Sequence, residues 1–407
     1  MTTTTVRGAA DVLALMPYTL GYQPSDCVVL VCVRDGLLGL TERLDLPPVE
    51  RVASACSALL EPVLRHDAAE GVLLIGYETH EGDSLPLLTQ LGDAVVEAGI
   101  DLLDTLVVRD GRWFTPTCTG SCCPGEGTPL PAPADTPAVS EFVARGVSPL
   151  PDRDAVADLV RPDERAVLAG ALVGSLGRGG SGEGPVLDLW RRLTDVDAAP
   201  ARVAAAARDH VVSASEALLL ARSLRDVVFR DALIGRILPD SLRMRVFDRD
   251  VRERAVAAVP LRPWWSGPDV DLLTADELLD LARAALGPDG EDVDDLTPEE
   301  VEHLAVELLS LRATVDGLEG GGAPPDAQTR DAAFLVLVDR LLDLVRALPE
   351  QEAAPALTLL ADVSWWRGDG ALARSAIDRA LEVEPDYRLA QLIGRLLDFG
   401  VRARTPR

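Results

Sequence analysis

Cys27-Val28-Val29-Leu30-Val31-Cys32-Val33-Arg34-Asp35-Gly36-Leu37-Leu38-Gly39-Leu40-Thr41-Glu42-Arg43-Leu44-Asp45 decides the fold class of the front of this chain. The run from Cys27 to Val33 is apolar and largely β-branched, Arg34-Asp35-Gly36-Leu37 carries the Asp-Gly signal of a tight hairpin, and Leu37 to Asp45 returns. Ahead of it, residues 9–20 are apolar on nearly every side and stop at Gly21, which predicts a buried helix bent at Pro17. Behind it, after Pro47-Pro48, the residues Val49, Val52, Ala53, Cys56, Leu59, Leu60 and Val63 recur at helical spacing. Gly71 to Tyr77 reads as a buried strand, Leu85 to Ala98 as a helix and Thr105 to Val108 as a fourth strand. Arg109-Asp110-Gly111-Arg112 then turns into a fifth through Trp113 and Phe114. The order β-β-α-β-α-β-β predicts a mixed sheet covered by helices, ending near residue 117.

Beyond it the pattern changes. Thr115 to Pro137 is a loop of Cys, Pro, Gly and Thr, and from about Val139 the strand signal vanishes. The remainder reads helical, broken by the glycine-rich stretches Gly174 to Pro185 and Gly317 to Pro325. Thr274 with Glu277, and Thr297 with Glu300 after Pro298, spell capping boxes at two helix starts. The chain is therefore expected to be α+β overall, a mixed α/β sheet domain followed by an all-helical region. Its expected parts are a sheet domain over 1–117, a Cys/Pro/Gly-rich loop over 118–138, a helical domain over 139–350 and a helical hairpin over 351–407.

Composition bounds the chemistry. At 407 residues two or three domains are expected. With 47% hydrophobic and 26% charged residues the chain is globular, and with only 4% aromatics its cores must be built from Leu, Val and Ala. There is no lysine and no asparagine, so Schiff-base lysines, phosphate-loop lysines and Asn-linked glycosylation are excluded. A formal charge of −27 repels a phosphate backbone, so nucleic acid is not an expected partner. The arginines of Arg243-Met244-Arg245-Val246-Phe247-Asp248-Arg249 are interrupted by Asp248 and Asp250 and read as a solvated mixed-charge helix. Met1 leads into four threonines rather than a basic and then apolar segment, and no apolar run approaches membrane-spanning length. A cytoplasmic protein with no membrane contact is expected, with cysteines as thiols or ligands rather than disulfides.

Several residues carry a functional reading beside a plain one. With a two-residue Asp35-Gly36 loop, counting outward sets Thr41 opposite Leu30, Arg43 opposite Val28 and Asp45 opposite Asp26. Asp26, Arg43 and Asp45 would then crowd one face at the open end of the hairpin, with Arg7 as a second compensating cation. The plain reading is a structural ion-pair cluster. The functional one is a ligand site in which the carboxylates bind a cation or the arginines an anion. Cys118-Thr119-Gly120-Ser121-Cys122-Cys123-Pro124 places three thiols in one loop. Cys118, Cys122 and Cys123 with a distant His80 or His66 would complete a tetrahedral zinc site. A redox-sensitive loop and simple reduced thiols in a turn are the alternatives. The stretch Gly174 to Gly182 resembles a phosphate cradle only in composition and reads as a linker. His210 and His303 read as packing or surface residues.

Near the C-terminus, Trp366-Arg367-Gly368-Asp369-Gly370-Ala371-Leu372-Ala373 leads to Ile377, Ala380, Leu381 and Glu384-Pro385. This looks like the second half of a tetratricopeptide repeat, with Leu357, Leu360 and Ala361 on its first helix. A packed helical hairpin and a peptide-binding groove are the two readings of it. Taken together, Arg7-Gly8 with Asp11, Pro17-Tyr18, Gly21, Pro24, Asp26, Arg43-Leu44-Asp45-Leu46-Pro47, Arg112-Trp113, Cys122-Cys123-Pro124 with Gly127-Thr128, and Gly368 to Leu392 resemble an actinobacterial family catalogued as domain of unknown function 4192. A Ser commonly follows the Asp of that family's first strand. Here the residue is Cys27, which weakens a hydroxyl-based mechanism. The resemblance implies a bacterial cytosolic protein of paired architecture and supplies no activity.

Two functional classes follow. One is a regulatory or interaction protein, with a ligand- or redox-sensing α/β head and a helical body that contacts a protein partner. The other is an enzyme with its site at the strand ends near Asp26, Arg43 and Asp45, performing metal-assisted hydrolysis. The missing catalytic signatures and the four histidines favour the first.

Overall fold

A computed structural model describes residues 8–65, 69–116, 118, 124–144, 147–174, 183–196, 211–239, 241–265, 268–286, 296–318 and 327–401. The fold is α+β, and the chain divides into two compact units. The first takes residues 1–159 with 367–381 and 388–403, and the second takes 160–366 with 382–387 and 404–407.

The first unit is built on one sheet. Its strands are β1 (Cys27–Arg34), β2 (Leu37–Asp45), β3 (Gly71–Tyr77), β4 (Asp101–Arg109), β5 (Arg112–Phe114) and β6 (Thr128–Pro129). They lie in the order β2-β1-β3-β4-β5-β6, antiparallel except for the parallel pair β3 and β4. Both hairpin turns are Asp-Gly with positive φ at each residue: 52° and 72° at Asp35 and Gly36, 50° and 70° at Asp110 and Gly111. That is the turn geometry that matches strand twist, and it explains why Asp-Gly recurs. The Pro- and Gly-rich segment after β5 contributes β6, a two-residue edge strand on which a proline is tolerated.

Helices cover both faces of the sheet. Val28, Leu30 and Cys32 of β1 point toward α2 (Val52–Arg65) and α3 (Leu85–Glu97). Cys27, Val29 and Val31 point toward α1 (Ala9–Leu20), which contains Pro17 as expected. Burial on both faces is why β1 reads as a continuous apolar run instead of an alternating one. α4 (Pro137–Ala144) packs through Val139 on Ala14 and Leu15 of α1, and α5 (Arg153–Asp158) follows.

The hairpin register differs from the one counted out of the turn. Arg34 pairs with Leu37 and Val33 with Leu38, but Val31 pairs with Thr41, Val29 with Arg43 and Cys27 with Asp45. A bulge at Gly39-Leu40, opposite Cys32, inserts one extra residue in β2. A Cβ at Gly39 would stand 3.3 Å from the Cys32 carbonyl oxygen, so glycine is suited to the close approach. The one-residue slip carries Arg43 and Asp45 from the α2/α3 face to the α1 face and removes Asp26 from opposite Asp45.

Past β6 the described residues form no further strand beyond an isolated bridge of Leu150 to Tyr22. The second unit holds α6 (Glu164–Leu172), α7 (Glu183–Thr194), α8 (Ala214–Ser223), α9 (Val227–Ile237), α10 (Arg249–Ala258), α11 (Ala275–Leu286), α12 (Pro298–Leu318), α13 (Ala327–Arg346) and α14 (Glu350–Arg367). The capping boxes at Thr274 and Thr297 form as read, and Ser213 with Glu216 makes another at the start of α8. Gly368, at φ 91°, ends α14 in the left-handed turn that favours glycine. α15 (Gly370–Val383) and α16 (Arg388–Asp398) follow. Within the first unit α16 comes close to α15 at Gly394, where a Cβ would lie 3.3 Å from Ile377.

Candidate functional site

β3 and β4 run parallel and end together, beside the start of β1 and the end of β2. Strand ends of a parallel crossover are where α/β sheets gather loops and polar side chains. Three clusters form at this edge of the first unit.

The first surrounds Glu78, one residue past β3 and buried. Its carboxylate accepts hydrogen bonds from the Gly82 amide (3.1 Å), the Ser84 amide (3.0 Å), the Ser84 hydroxyl (2.7 Å) and Arg109 Nη1 (2.7 Å). Burial alone would push this carboxyl up. The bonds from Ser84, Gly82 and Arg109 outweigh it and hold the group below the usual carboxylate range. Arg109 also sits 4.8 Å from the centre of the Phe114 ring, which fixes its plane. The amides ahead of α3 are where a crossover helix would receive a phosphate. Here the chain's own carboxylate takes them.

Ser84 fits because β3 carries Gly76 beneath it. A Cβ at Gly76 would stand 2.4 Å from Ser84 Oγ and 2.9 Å from Leu88 Cδ1, both on buried residues. Gly76→Ala is therefore expected to cost about 1–3 kcal/mol, read as a lower urea midpoint, by forcing α3 off the sheet. An unchanged midpoint would mean that Ser84 and Leu88 move aside freely.

Asp26 forms the second cluster. It lies just before β1 in the left-handed region, at φ 44°. Its carboxylate accepts from the Thr79 amide (3.0 Å), the Thr79 hydroxyl (3.1 Å) and the Ser25 hydroxyl (3.0 Å), and its carbonyl accepts from the Leu46 amide (2.9 Å). Burial tends to raise this carboxyl; the Thr79 and Ser25 bonds win and lower it, with His80 adding a smaller pull. Asp26 is thus a latch between the start of β1 and the exit of β3. It is not a partner of Arg43, which corrects the sequence expectation.

The third cluster holds Arg43 and Asp45 on the α1 face. Two residues apart on one strand, they share a face in any register, and Arg43 Nη1 lies 2.6 Å from Asp45 Oδ1. Arg153 Nη1 reaches the other oxygen, Asp45 Oδ2, at 2.9 Å. Arg153 is delivered by the segment around Leu150, whose amide donates to the Gly21 carbonyl while the Gln23 amide donates to the Leu150 carbonyl. Tyr22 and Cys27, both buried, adjoin Arg43. Burial pushes the Cys27 thiol up, against the opposing pull of the adjoining Arg43 guanidinium. Burial likewise raises the Tyr22 and Tyr77 hydroxyls. Tyr77 pairs with Cys27 across the β1–β3 ladder. Its hydroxyl, Arg43 Nε and Trp113 Nε1 are buried with no hydrogen-bond partner.

Of the residues singled out in the sequence, Arg43 and Asp45 come together and Asp26 goes to Thr79. Arg7, Cys122 and Cys123 lie outside the described residues, as do His66, His210 and most of the glycine-rich stretch. The Cys118 amide donates to the Thr115 carbonyl, and His80 is exposed at the exit of β3. His303 lies 3.3 Å from Glu307, one turn along α12. Among the described residues no group of three His, Cys, Asp or Glu side chains is placed to hold a metal ion. Sequence reading missed Tyr22, Tyr77, Glu78, Thr79, Arg109 and Arg153. The polar Glu78-Thr79-His80 directly after an apolar strand was a usable signal for a strand-end site; Arg153 offered none.

No helix among the described residues is long and apolar enough to cross a membrane. No curated protein and no solved structure matches the chain. A family model does, over residues 10–259 and 252–404, which together take in nearly the whole sequence. With both the sheet unit and the helical unit inside those matches, the chain belongs to the family described as Domain of unknown function (DUF4192).

Proposed function

We propose that this is a regulatory or interaction protein whose α/β head senses a small ligand at the strand ends and whose helical body contacts a protein partner. The observation that carries the reading is the set of buried, unpartnered donors on the α1 face, at Arg43 Nε, Tyr77 Oη and Trp113 Nε1. Buried polar groups are nearly always satisfied, so three orphaned donors gathered on one face support a ligand site there. The neighbouring chemistry favours binding over catalysis. The Cys27 thiol is held away from its thiolate, and the carboxylates of Glu78 and Asp26 are engaged by donors of the fold itself. The left-handed Gly368 that follows α14 and the small residues along α15 support the tetratricopeptide-like reading of this stretch. A cytoplasmic, bacterial setting and a zinc-binding or redox-active cysteine loop complete this reading.

The test is thermal unfolding of the full chain against a panel of small carboxylates, phosphates and neutral nucleosides, with elemental analysis of the purified protein. A binder at a hundredfold excess over its Kd should raise Tm by a few degrees. Arg43→Ala should abolish that rise. If no compound moves Tm and Arg43→Ala merely lowers it, the arginine is a structural ion-pair partner and the sensing reading fails.

A further inference from the structure

We infer that the α1 face of the sheet binds a small carboxylate anion, held by Arg43 and the Tyr77 hydroxyl over Cys27; this rests on the sensing reading above. Asp45, Cys27, Tyr77, Val108, Trp113 and Thr128 are successive cross-strand partners, so their side chains form one row on one face. Neighbouring strands are about 4.8 Å apart, which sets Tyr77 directly beside Cys27 and Trp113 two strands beyond it. Arg43 stands one pleat inward on β2, and its guanidinium adjoins the Cys27 thiol. Arg43 and Tyr77 therefore flank the same cysteine from its two neighbouring strands.

The acceptor of this row, the Asp45 carboxylate, is taken up by Arg43 Nη1 and Arg153. Arg43 Nε and Trp113 Nε1 can only donate, and the Tyr77 hydroxyl, on a residue 6% exposed, has no partner either. The charge count points the same way. Arg43 and Arg153 both take Asp45 as their carboxylate, so two cations share one anion. A planar carboxylate suits both the edge of a guanidinium and a phenolic donor.

Burial decides between the oxyanions. The Arg43 side chain is 13% exposed and that of Asp45 64%, so the guanidinium is largely withdrawn from water while its carboxylate partner stays in it. A phosphate dianion would bring a second, uncompensated charge out of water. The chain as a whole carries −27 and repels anions at long range. A singly charged, compact ligand held by direct contacts meets both constraints.

The experiment is a titration of the full-length protein with sodium acetate at pH 7.5, ionic strength fixed with sodium chloride, and a parallel arm of inorganic phosphate. Acetate should raise Tm saturably, and its methyl resonance should broaden on adding wild-type protein. Tyr77→Phe, which deletes only the orphaned oxygen, should fold and bind acetate roughly tenfold more weakly or worse. An absence of methyl broadening, or equal acetate affinity in Tyr77→Phe, would overturn the inference. So would phosphate acting at lower concentration than acetate. A neutral nucleoside that raises Tm while both anions do not would also overturn it, yet leave the sensing reading standing. A flat response to every compound sinks both.

Discussion

Arg236→Ala should destabilise the second unit by about 3–5 kcal/mol, the expected cost of removing one member of a buried ion pair. Arg236 lies inside α9 with none of its surface exposed. Its guanidinium donates to the Val259 carbonyl (2.9 Å) and the Pro260 carbonyl (3.2 Å). It also forks onto Asp269, with Nη1–Oδ1 and Nη2–Oδ2 both at 2.7 Å, and reaches Asp271 Oδ2 at 2.6 Å. Arg262 pairs with the same two carboxylates at 3.2 and 3.3 Å, so two cations face two anions and the group is neutral. Removing Arg236 leaves two carboxylates to one guanidinium, strips two carbonyls of their donor and opens a void in α9. Arg236→Lys should lose less, since it keeps the charge and forfeits the fork. Urea unfolding followed by far-UV circular dichroism measures both. A loss below about 1 kcal/mol in Arg236→Ala would mean that water or Arg262 takes over, and the buried-pair account would fall.

The features that were legible in the sequence are those decided within a few residues. Asp35-Gly36 and Asp110-Gly111 fix their turns locally, and each capping box spans four residues, including Ser213 to Glu216, which could have been read the same way. The register of β1 on β2 was not legible by counting from the turn, because a bulge breaks the count; Gly39 inside a strand was its only local sign. β6 hides in a loop-like composition because its order comes from elsewhere. Arg112 of β5 donates to the carbonyls of Glu126 and Gly127, both at 2.7 Å. The site divides along the same line. Arg43 and Asp45 are two apart on one strand, so their pairing survives a wrong register, whereas Asp26 was misplaced because its positive φ takes it out of the strand. Arg153 and Tyr77 reach the cluster through chain crossings that no local pattern encodes.

The second large effect is expected from pH. Residues Ala353 to Ser364 of α14 are buried on every side of the helix, and Asp362 lies among them, 8% exposed. No hydrogen-bond donor reaches its carboxylate among the described residues, and Asp231 faces it with a like charge. Asp231 is itself engaged by Arg230, whose guanidinium also donates to the Tyr387 hydroxyl, so that cation is already committed. Burial first, and Asp231 second, push the Asp362 carboxyl up from 3.8 to about 7. The sign is the reverse of a salt-bridged carboxylate. Below pH ~4 both folded and unfolded chains carry the proton and Asp362 costs nothing. Between pH ~4 and ~7 only the unfolded chain releases it, so stability falls as pH rises; above ~7 the loss levels off. A shift of this size corresponds to a ceiling of about 4 kcal/mol. Asp362→Asn removes the titration while keeping the shape. It should match wild type near pH 4 and exceed its stability by a margin that grows to pH 7 and then stays constant. Urea midpoints of the two proteins at pH 4.5, 6 and 8 test this, since the other carboxylates titrate alike in both and cancel in the difference. A difference independent of pH would show that Asp362 ionises normally in the folded chain.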